Sequence, residues 1–169
     1  MNKLNIIYED NHIIVVEKPI NMLSQSDNTK DLDLQTALKM YIKEKYQKPG
    51  NVYIGLVHRL DRPTGGLMVF ARTSKAASRL SEEIRNKNFK KSYLAVINGK
   101  TKKQDTLEDY LEKTGNISII SNKEKGKYAK LNYELITYKD NLSLVKVNLE
   151  TGRNHQIRLQ FKSRNMPLY

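Results

Sequence analysis

Short apolar, β-branched runs broken by turn residues recur along this chain, and the apolar spacing changes to that of a helix in only three places. Leu4 to Tyr8 and His12 to Glu17 flank the turn Glu9-Asp10-Asn11 and read as an N-terminal hairpin. Val52 to Val57 and Leu67 to Ala71 read as two short buried strands. Tyr93 to Ile97 reads as a strand with a basic entrance, and Ala129 to Tyr138 and Leu142 to Leu149 form a second hairpin over Lys139-Asp140-Asn141. Helical spacing appears first at Leu34, Ala37, Leu38, Tyr41 and Ile42, with Asp33 near the start and Lys48-Pro49-Gly50 as the stop. It returns at Ala77, Leu80 and Ile84, where Thr73 or Ser74 is the cap and Asn86 to Asn88 the end. The third case is Ile157 and Phe161 within His155 to Lys162, with Thr151 or Asn154 as the expected cap. Strands outnumber helices in an order that is not a regular βαβ alternation. The fold class that follows is α+β, a mostly antiparallel mixed sheet with flanking helices.

Two stretches carry little pattern. Ser24 to Lys30 is polar and reads as a mobile loop with nothing to bury. Lys100 to Lys127, charged around the short runs Asp109 to Glu112 and Ile117 to Ile120, reads as a surface excursion. The 169 residues suffice for one domain with a real core, arranged in up to two lobes. With no cysteine, disulfides and thiolate metal sites are excluded. No apolar run approaches the roughly 18 residues that span a bilayer, so no membrane partner is expected. Nothing at the N-terminus resembles a signal peptide, and a cytoplasmic location is expected. Thirty Lys and Arg against eighteen Asp and Glu give a net charge of +12. The balance favours a polyanionic partner, but a lysine-rich solvated surface would look the same.

The most unusual local arrangement is a single acid, Asp61, between Arg59 and Arg62 in the polar turn of VHRLDRPTGGLMVFA. Taken alone, such an acid most often neutralises its neighbours and does no chemistry. His12, His58 and His155 lie on three distant segments with no ligand spacing, so no metal is expected. His58 to Asp61 superficially matches a kinase catalytic loop, with the aspartate displaced by one place and no glycine-rich loop. Gly65-Gly66 is too short for a phosphate cradle. Tyr93 in an apolar strand is by default a core aromatic. Lys87, Lys90 and Lys91 are by default a solvated face, and beside Tyr93 they would suit the backbone of a polyanion.

HRLDRPTGG at His58 to Gly66 resembles the HRLDRxTSG signature of the RluA-type RNA pseudouridine synthases, whose aspartate is catalytic. Three further segments of that family follow the same order: IIYEDNHIIVVEKP near the N-terminus, KKSYLAVINGK at Lys90 to Lys100, and TGRNHQIRLQ at Thr151 to Gln160. The resemblance covers essentially the whole chain and implies the pseudouridine synthase catalytic fold. It makes Asp61 the catalytic carboxylate, Arg59 the side chain that fills the space left by a flipped uridine, and Tyr93 the platform under that base. Arg158 corresponds to the arginine that pairs with the catalytic aspartate, and Arg62 and His58 join the substrate-binding set. The implied reaction breaks the N-glycosidic bond of uridine and rejoins the base through C5, without redox change, and so requires no cofactor. The implied partner is ribosomal or transfer RNA, not DNA, and the protein is expected to be a monomer.

The chain departs from the family pattern at Gly65, where serine is usual, and at Gln160, where histidine is usual. A looser turn after Asp61 is expected from the first. It also stops after Pro167-Leu168-Tyr169, where relatives continue, so a catalytic domain lacking its C-terminal strands is expected, with an exposed sheet edge. No room is left for a separate N-terminal RNA-binding domain. Two other functions fit the same residues: a non-catalytic RNA-binding module, and a base-excising glycosylase that also flips a base against a carboxylate.

Overall fold

A computed structural model describes residues 4–115 and 117–169. They form two compact units, Met1–Asn86 and Lys87–Tyr169.

In the first unit, β1 (Asn5–Glu9) and β2 (Ile13–Lys18) pair antiparallel as the expected hairpin, with a register shift between Ile6 and Tyr8. Helix α1 (Leu34–Lys45) follows, capped by Asp33, whose carboxylate accepts the Thr36 N–H. After β3 (Gly55–Leu56) and β4 (Gly66–Ala71) comes α2 (Ser74–Arg85), capped in the same way by Thr73. The four-stranded sheet has the order β1-β2-β4-β3. Side chains alternate across a strand, so Ile14, Val16, Met68 and Phe70 share one face and pack with Leu34, Leu38 and Ile42 of α1. On the opposite face Gly55 lies against α2: a Cβ there would sit 3.1 Å from that of Ala77. Glu9 joins β1 to α1 by accepting from Tyr41 (3.0 Å), Lys45 (2.8 Å) and Tyr46 (2.7 Å). Burial alone would raise the Glu9 pKa, and these hydrogen bonds outweigh it and hold the carboxyl below its usual range.

Two expectations for this unit are corrected. Val52 to Val57 is not a continuous strand; only Gly55–Leu56 pairs. The Ile54 carbonyl is instead taken by the Gln35 side chain of α1 at 2.7 Å. Ser24 to Lys30 is not wholly without burial either. Ser24 is 5% exposed, and its hydroxyl donates to the Leu60 carbonyl.

In the second unit, β5 (Lys91–Asn98), β6 (Gln104–Thr114), β7 (Ile117–Ser121), β8 (Lys127–Lys139) and β9 (Leu142–Leu149) form a separate sheet in the order β5-β9-β8-β6-β7. Every ladder in both sheets is antiparallel, and the one parallel pairing described is the isolated bridge Leu23–Asp33. The sequence led to one sheet; the pairings give two. The β8–β9 turn places Asp140 and Asn141 at φ 50° and 58°, the left-handed geometry that suits a two-residue hairpin and that Asp and Asn tolerate. Lys100 to Lys127 is not a surface excursion, because β6 is an interior strand that pairs with β8 from Gln104 to Leu111 and with β7 from Tyr110 to Thr114, and it buries Leu107 and Leu111. Helix α3 (Gln156–Lys162) covers one face through Phe161 and Ile157, which pack with Ile97, Leu131, Tyr133, Val145 and Val147. Neither expected side chain caps it; its first flanking residue, His155, is left-handed at φ 53° and makes no side-chain cap. The last residues pair along the free edge of β5, where Asn98 N–H donates to Pro167 and Tyr169 N–H to Val96, both at 2.9 Å.

Phe161 is fully buried, with its ring 5.1 Å from that of Tyr133. Phe161→Ala is expected to destabilise the second unit by about 3–5 kcal/mol, the usual loss for an aromatic truncated in a core. Urea denaturation followed by tyrosine fluorescence checks this.

Candidate functional site

The loop from His58 to Gly66 leaves the sheet because an imidazole replaces a strand. Beyond the Leu56–Phe70 pair the next residue of β4 is Val69, and its N–H is accepted by His58 Nε2 at 3.1 Å. That nitrogen is therefore the unprotonated acceptor, and the Val69 N–H beyond the end of β3 is satisfied. The chain then turns outward, and Thr64 N–H closes the turn on the Asp61 carbonyl at 3.0 Å.

The floor of this loop is polar. Lys18, at the end of β2, is 0% exposed. Its ammonium donates to the carbonyls of Pro19 (3.0 Å), Met22 (2.7 Å) and Arg62 (3.1 Å). Three N–H groups meet three acceptors, so the charged form is the one this geometry fits. Burial pushes the Lys18 pKa down, and the Asp61 carboxylate acts in the opposite direction. Ser24 supplies a second support: its hydroxyl donates to Leu60 O (2.7 Å) and accepts from Leu60 N–H (3.2 Å). From outside, Arg62 pairs with Asp31 at 2.7 Å and donates to the Asn21 carbonyl at 3.2 Å. That ion pair is half exposed and contributes at most about 1 kcal/mol.

Arg62 is thus engaged with the segment before α1. Gly65 does not loosen the turn, as its serine-to-glycine departure led us to expect. A Cβ at Gly65 would lie 3.1 Å from Ile20 Cγ2 and 3.4 Å from the Lys18 carbonyl, so the missing side chain permits close packing. Gly66 follows at φ 137°, a conformation that favours glycine. The outcome is a loop fixed from beneath that leaves Arg59 and Asp61 exposed.

The second unit carries the other predicted residues. Tyr93 is half-buried on the α3 side of β5 and packs at the margin of the core, and Lys91 shares its face. Lys87 and Lys90 are exposed. Arg158 is exposed on α3, whose opposite side is pinned by amides. Gln160, 0% exposed, donates to Leu107 O (3.0 Å) and to Asp109 (2.8 Å), while Gln156 donates to Gln160 Oε1 (3.0 Å) and Lys130 O (3.1 Å). Within the first unit Asp61, Arg59, Arg62 and His58 share one loop. Within the second, Tyr93 and Lys91 share a strand face and Arg158 belongs to α3.

Sequence reasoning missed Lys18 and Ser24. The signal for Lys18 was faint: a lysine continuing an apolar strand immediately before proline. Among the described residues, no group of three or more His, Asp or Glu side chains is placed to hold a metal, and no helix is long and apolar enough to cross a membrane.

A family model described as RNA pseudouridylate synthase matches residues 12–163. The chain belongs to that family. Ribosomal large subunit pseudouridine synthase D of Zymomonas mobilis is 34% identical over 170 residues, covering 95% of this chain and 52% of that protein. Ribosomal large subunit pseudouridine synthase C of Rickettsia bellii is 35% identical over 169 residues, covering 97% and 54%. The chain therefore spans about half the length of these curated relatives. Among solved structures, human RNA Pseudouridylate Synthase Domain Containing 4 superposes with a TM-score of 0.83 at 19% identity, covering 97% of this chain and 66% of that one. Human RNA Pseudouridylate Synthase Domain Containing 1 gives 0.78 at 23% identity. These two likenesses bear on the fold alone, and they agree with the α+β arrangement of antiparallel sheets.

Removing the Lys18 charge while keeping its bulk, as Lys18→Met, leaves three carbonyls without their donor. It is expected to cost about 1–3 kcal/mol and to speed amide exchange at Thr64. The pH dependence has a definite sign. Because the folded pKa is lowered, the unfolded chain binds more protons between that pKa and 10.5. Stability of the wild type relative to Lys18→Met is therefore expected to rise with pH through that window, which paired denaturant titrations would measure.

Proposed function

We propose that the chain isomerises uridine to pseudouridine in RNA, with Asp61 as the catalytic carboxylate and ribosomal RNA as the first substrate class to test. The observation that carries the reading is the Asp61 loop itself. An exposed carboxylate sits on a loop supported by buried hydrogen bonds, in a chain whose sequence matches the pseudouridylate synthase family across residues 12–163. Rigid placement of an otherwise exposed acid is what a catalytic group needs and a merely charge-balancing one does not.

In this proposal the carboxylate acts ionised, either by attacking C1′ or by removing the C2′ proton. The N1–C1′ bond breaks, the uracil rotates, and C5 bonds to C1′. The proton on C5 is lost and N1 gains one, so atoms and charge balance with no cofactor. A uridine within a helix has to leave the stack first, at a cost of a few kcal/mol, and Arg59 is proposed to occupy the gap. Tyr93 offers a ring face for the free base, where stacking contributes about 1–3 kcal/mol. Arg158 is proposed to favour the ionised form of the carboxylate. Lys87, Lys90 and Lys91 are proposed to meet the RNA backbone, and the catalytic domain is proposed to act as a monomer in the cytoplasm. Transfer RNA is the second substrate class, after the ribosomal RNA named for the relatives.

Asp61→Asn is expected to abolish pseudouridine formation, by at least about a hundredfold, while leaving the fold and RNA binding intact. Chemical mapping of pseudouridine in ribosomal and transfer RNA reads this, and turnover at the normal rate in that variant would refute the assignment. Wild-type protein that binds RNA yet forms no pseudouridine would favour a binding module, and free uracil on chromatography would favour a glycosylase. Arg158→Lys keeps a charge but loses the planar fork. It is expected to slow turnover about tenfold or more in the same assay, by analogy with the loss of one charge-stabilising donor.

A further inference from the structure

The second unit holds a pair of cations, Lys91 and Arg153, of which the proposed function uses only Lys91, as one of three general backbone contacts. The β5–β9 register sets Lys91 opposite Leu149, the last residue of β9. The turn that follows at once, Glu150 to Arg153, is thereby brought back over the Lys91 side chain. A Cβ on Gly152 would lie 3.3 Å from Lys91 Nζ, so the ammonium rests against the backbone of that turn. Next in sequence, Arg153 is anchored by its Nε to the Tyr128 carbonyl at 2.9 Å. Its two terminal nitrogens make no hydrogen bond among the described residues.

Acids that could neutralise this pair are committed elsewhere. Glu150 accepts from Asn132 at 2.8 Å and faces Lys130 at 3.5 Å, while Glu108 accepts from Tyr128 at 2.7 Å and also faces Lys130. Burial lowers the Lys91 pKa, and the like charge of Arg153 lowers it further. The surface lysines at 87 and 90, by contrast, are exposed. Two positive groups held together by the fold, one of them half-buried and neither paired with an acid among the described residues, are stabilised by an oxyanion bound between them.

We propose that Lys91, Arg153 and the side-chain-free turn at Gly152 form a binding site for one phosphodiester of an RNA substrate. The proposal rests on the RNA reading above and adds to it a defined point of backbone contact. Arginine supplies a planar fork and lysine a point charge, a combination suited to phosphate oxygens. Glycine leaves room for the ligand beside the ammonium.

The test measures affinity of the full chain for a short oligouridylate as a function of salt. Lys91→Met and Arg153→Met are each expected to weaken binding about tenfold at low salt and to reduce the salt slope by roughly 0.7. Because both would hold the same phosphate, the double variant is expected to lose less than the two single losses combined. Lys139→Met, with the same change in net charge at the opposite end of the β8–β9 hairpin, serves as the control and is expected to change affinity far less. Gly152→Val leaves the charge unchanged but fills the space beside Nζ, and is expected to weaken binding several-fold. Circular dichroism checks that each variant folds. Lys91→Met and Arg153→Met indistinguishable from Lys139→Met, or Gly152→Val binding as wild type, would overturn the site while leaving RNA binding standing. Wild-type protein that fails to bind oligouridylate at low salt would instead overturn the RNA reading, and the site with it.

Discussion

A buried ammonium ion organises the first unit. Lys18 gathers three carbonyls from two separate stretches of chain, the turn after β2 and the loop after Asp61. Taking a lysine head group out of water costs several kcal/mol unless every proton finds an acceptor, and here each does. An apolar residue at this position could fill the volume but could not hold three converging carbonyls. The loop therefore keeps its shape because a charge, and not a hydrophobic contact, lies beneath it. Ser24 repeats the device on the far side of Asp61, satisfying both backbone groups of Leu60 with one hydroxyl.

His58 solves the complementary problem of letting the chain leave the sheet. An edge strand that stops early exposes its partner's N–H groups, and an unpaired buried donor costs free energy. The imidazole takes the Val69 N–H that a longer β3 would have approached. The outward course of residues 58–66 follows from that substitution, and so does the exposure of Asp61. The histidine is in this respect part of the construction of the loop, a role that lies behind the carboxylate.

What the sequence disclosed and what it concealed divide along physical lines. The helix caps at Asp33 and Thr73 and the Asp140-Asn141 hairpin depend on neighbours a few residues away, so local chemistry revealed them. The Asp61 turn was legible because its charge pattern and flanking apolar runs are also local, although its meaning came from the family resemblance. Strand β6 was hidden because its inward face reads Asp105, Leu107, Asp109, Leu111, with two acids where apolar residues would announce a core. Asp109 is tolerated there because Gln160 and Arg164, more than fifty residues away, each reach it at 2.8 Å. Lys18 was hidden for the same reason: lysines are almost always exposed, and only distant carbonyls make this one an exception.

The orientation of Arg158 depends on such distant partners too. Helix α3 lacks a conventional side-chain cap, since Asn154 donates to Ser118 and Thr151 to Gln156 Oε1. Gln156 instead works from inside the first turn, accepting the Arg153 N–H at 3.0 Å while its amide nitrogen reaches the Lys130 carbonyl. Gln160, four residues on, lies on the same face and bonds to β6. At about 100° per residue, a side chain midway between them lies roughly 200° from each, on the opposite side of the helix. Locking positions 156 and 160 inward therefore leaves Arg158 no inward orientation, and its exposure is a consequence of two buried amides. At position 160 the lock is a neutral amide, whose nitrogen reaches both the Leu107 carbonyl and the Asp109 carboxylate.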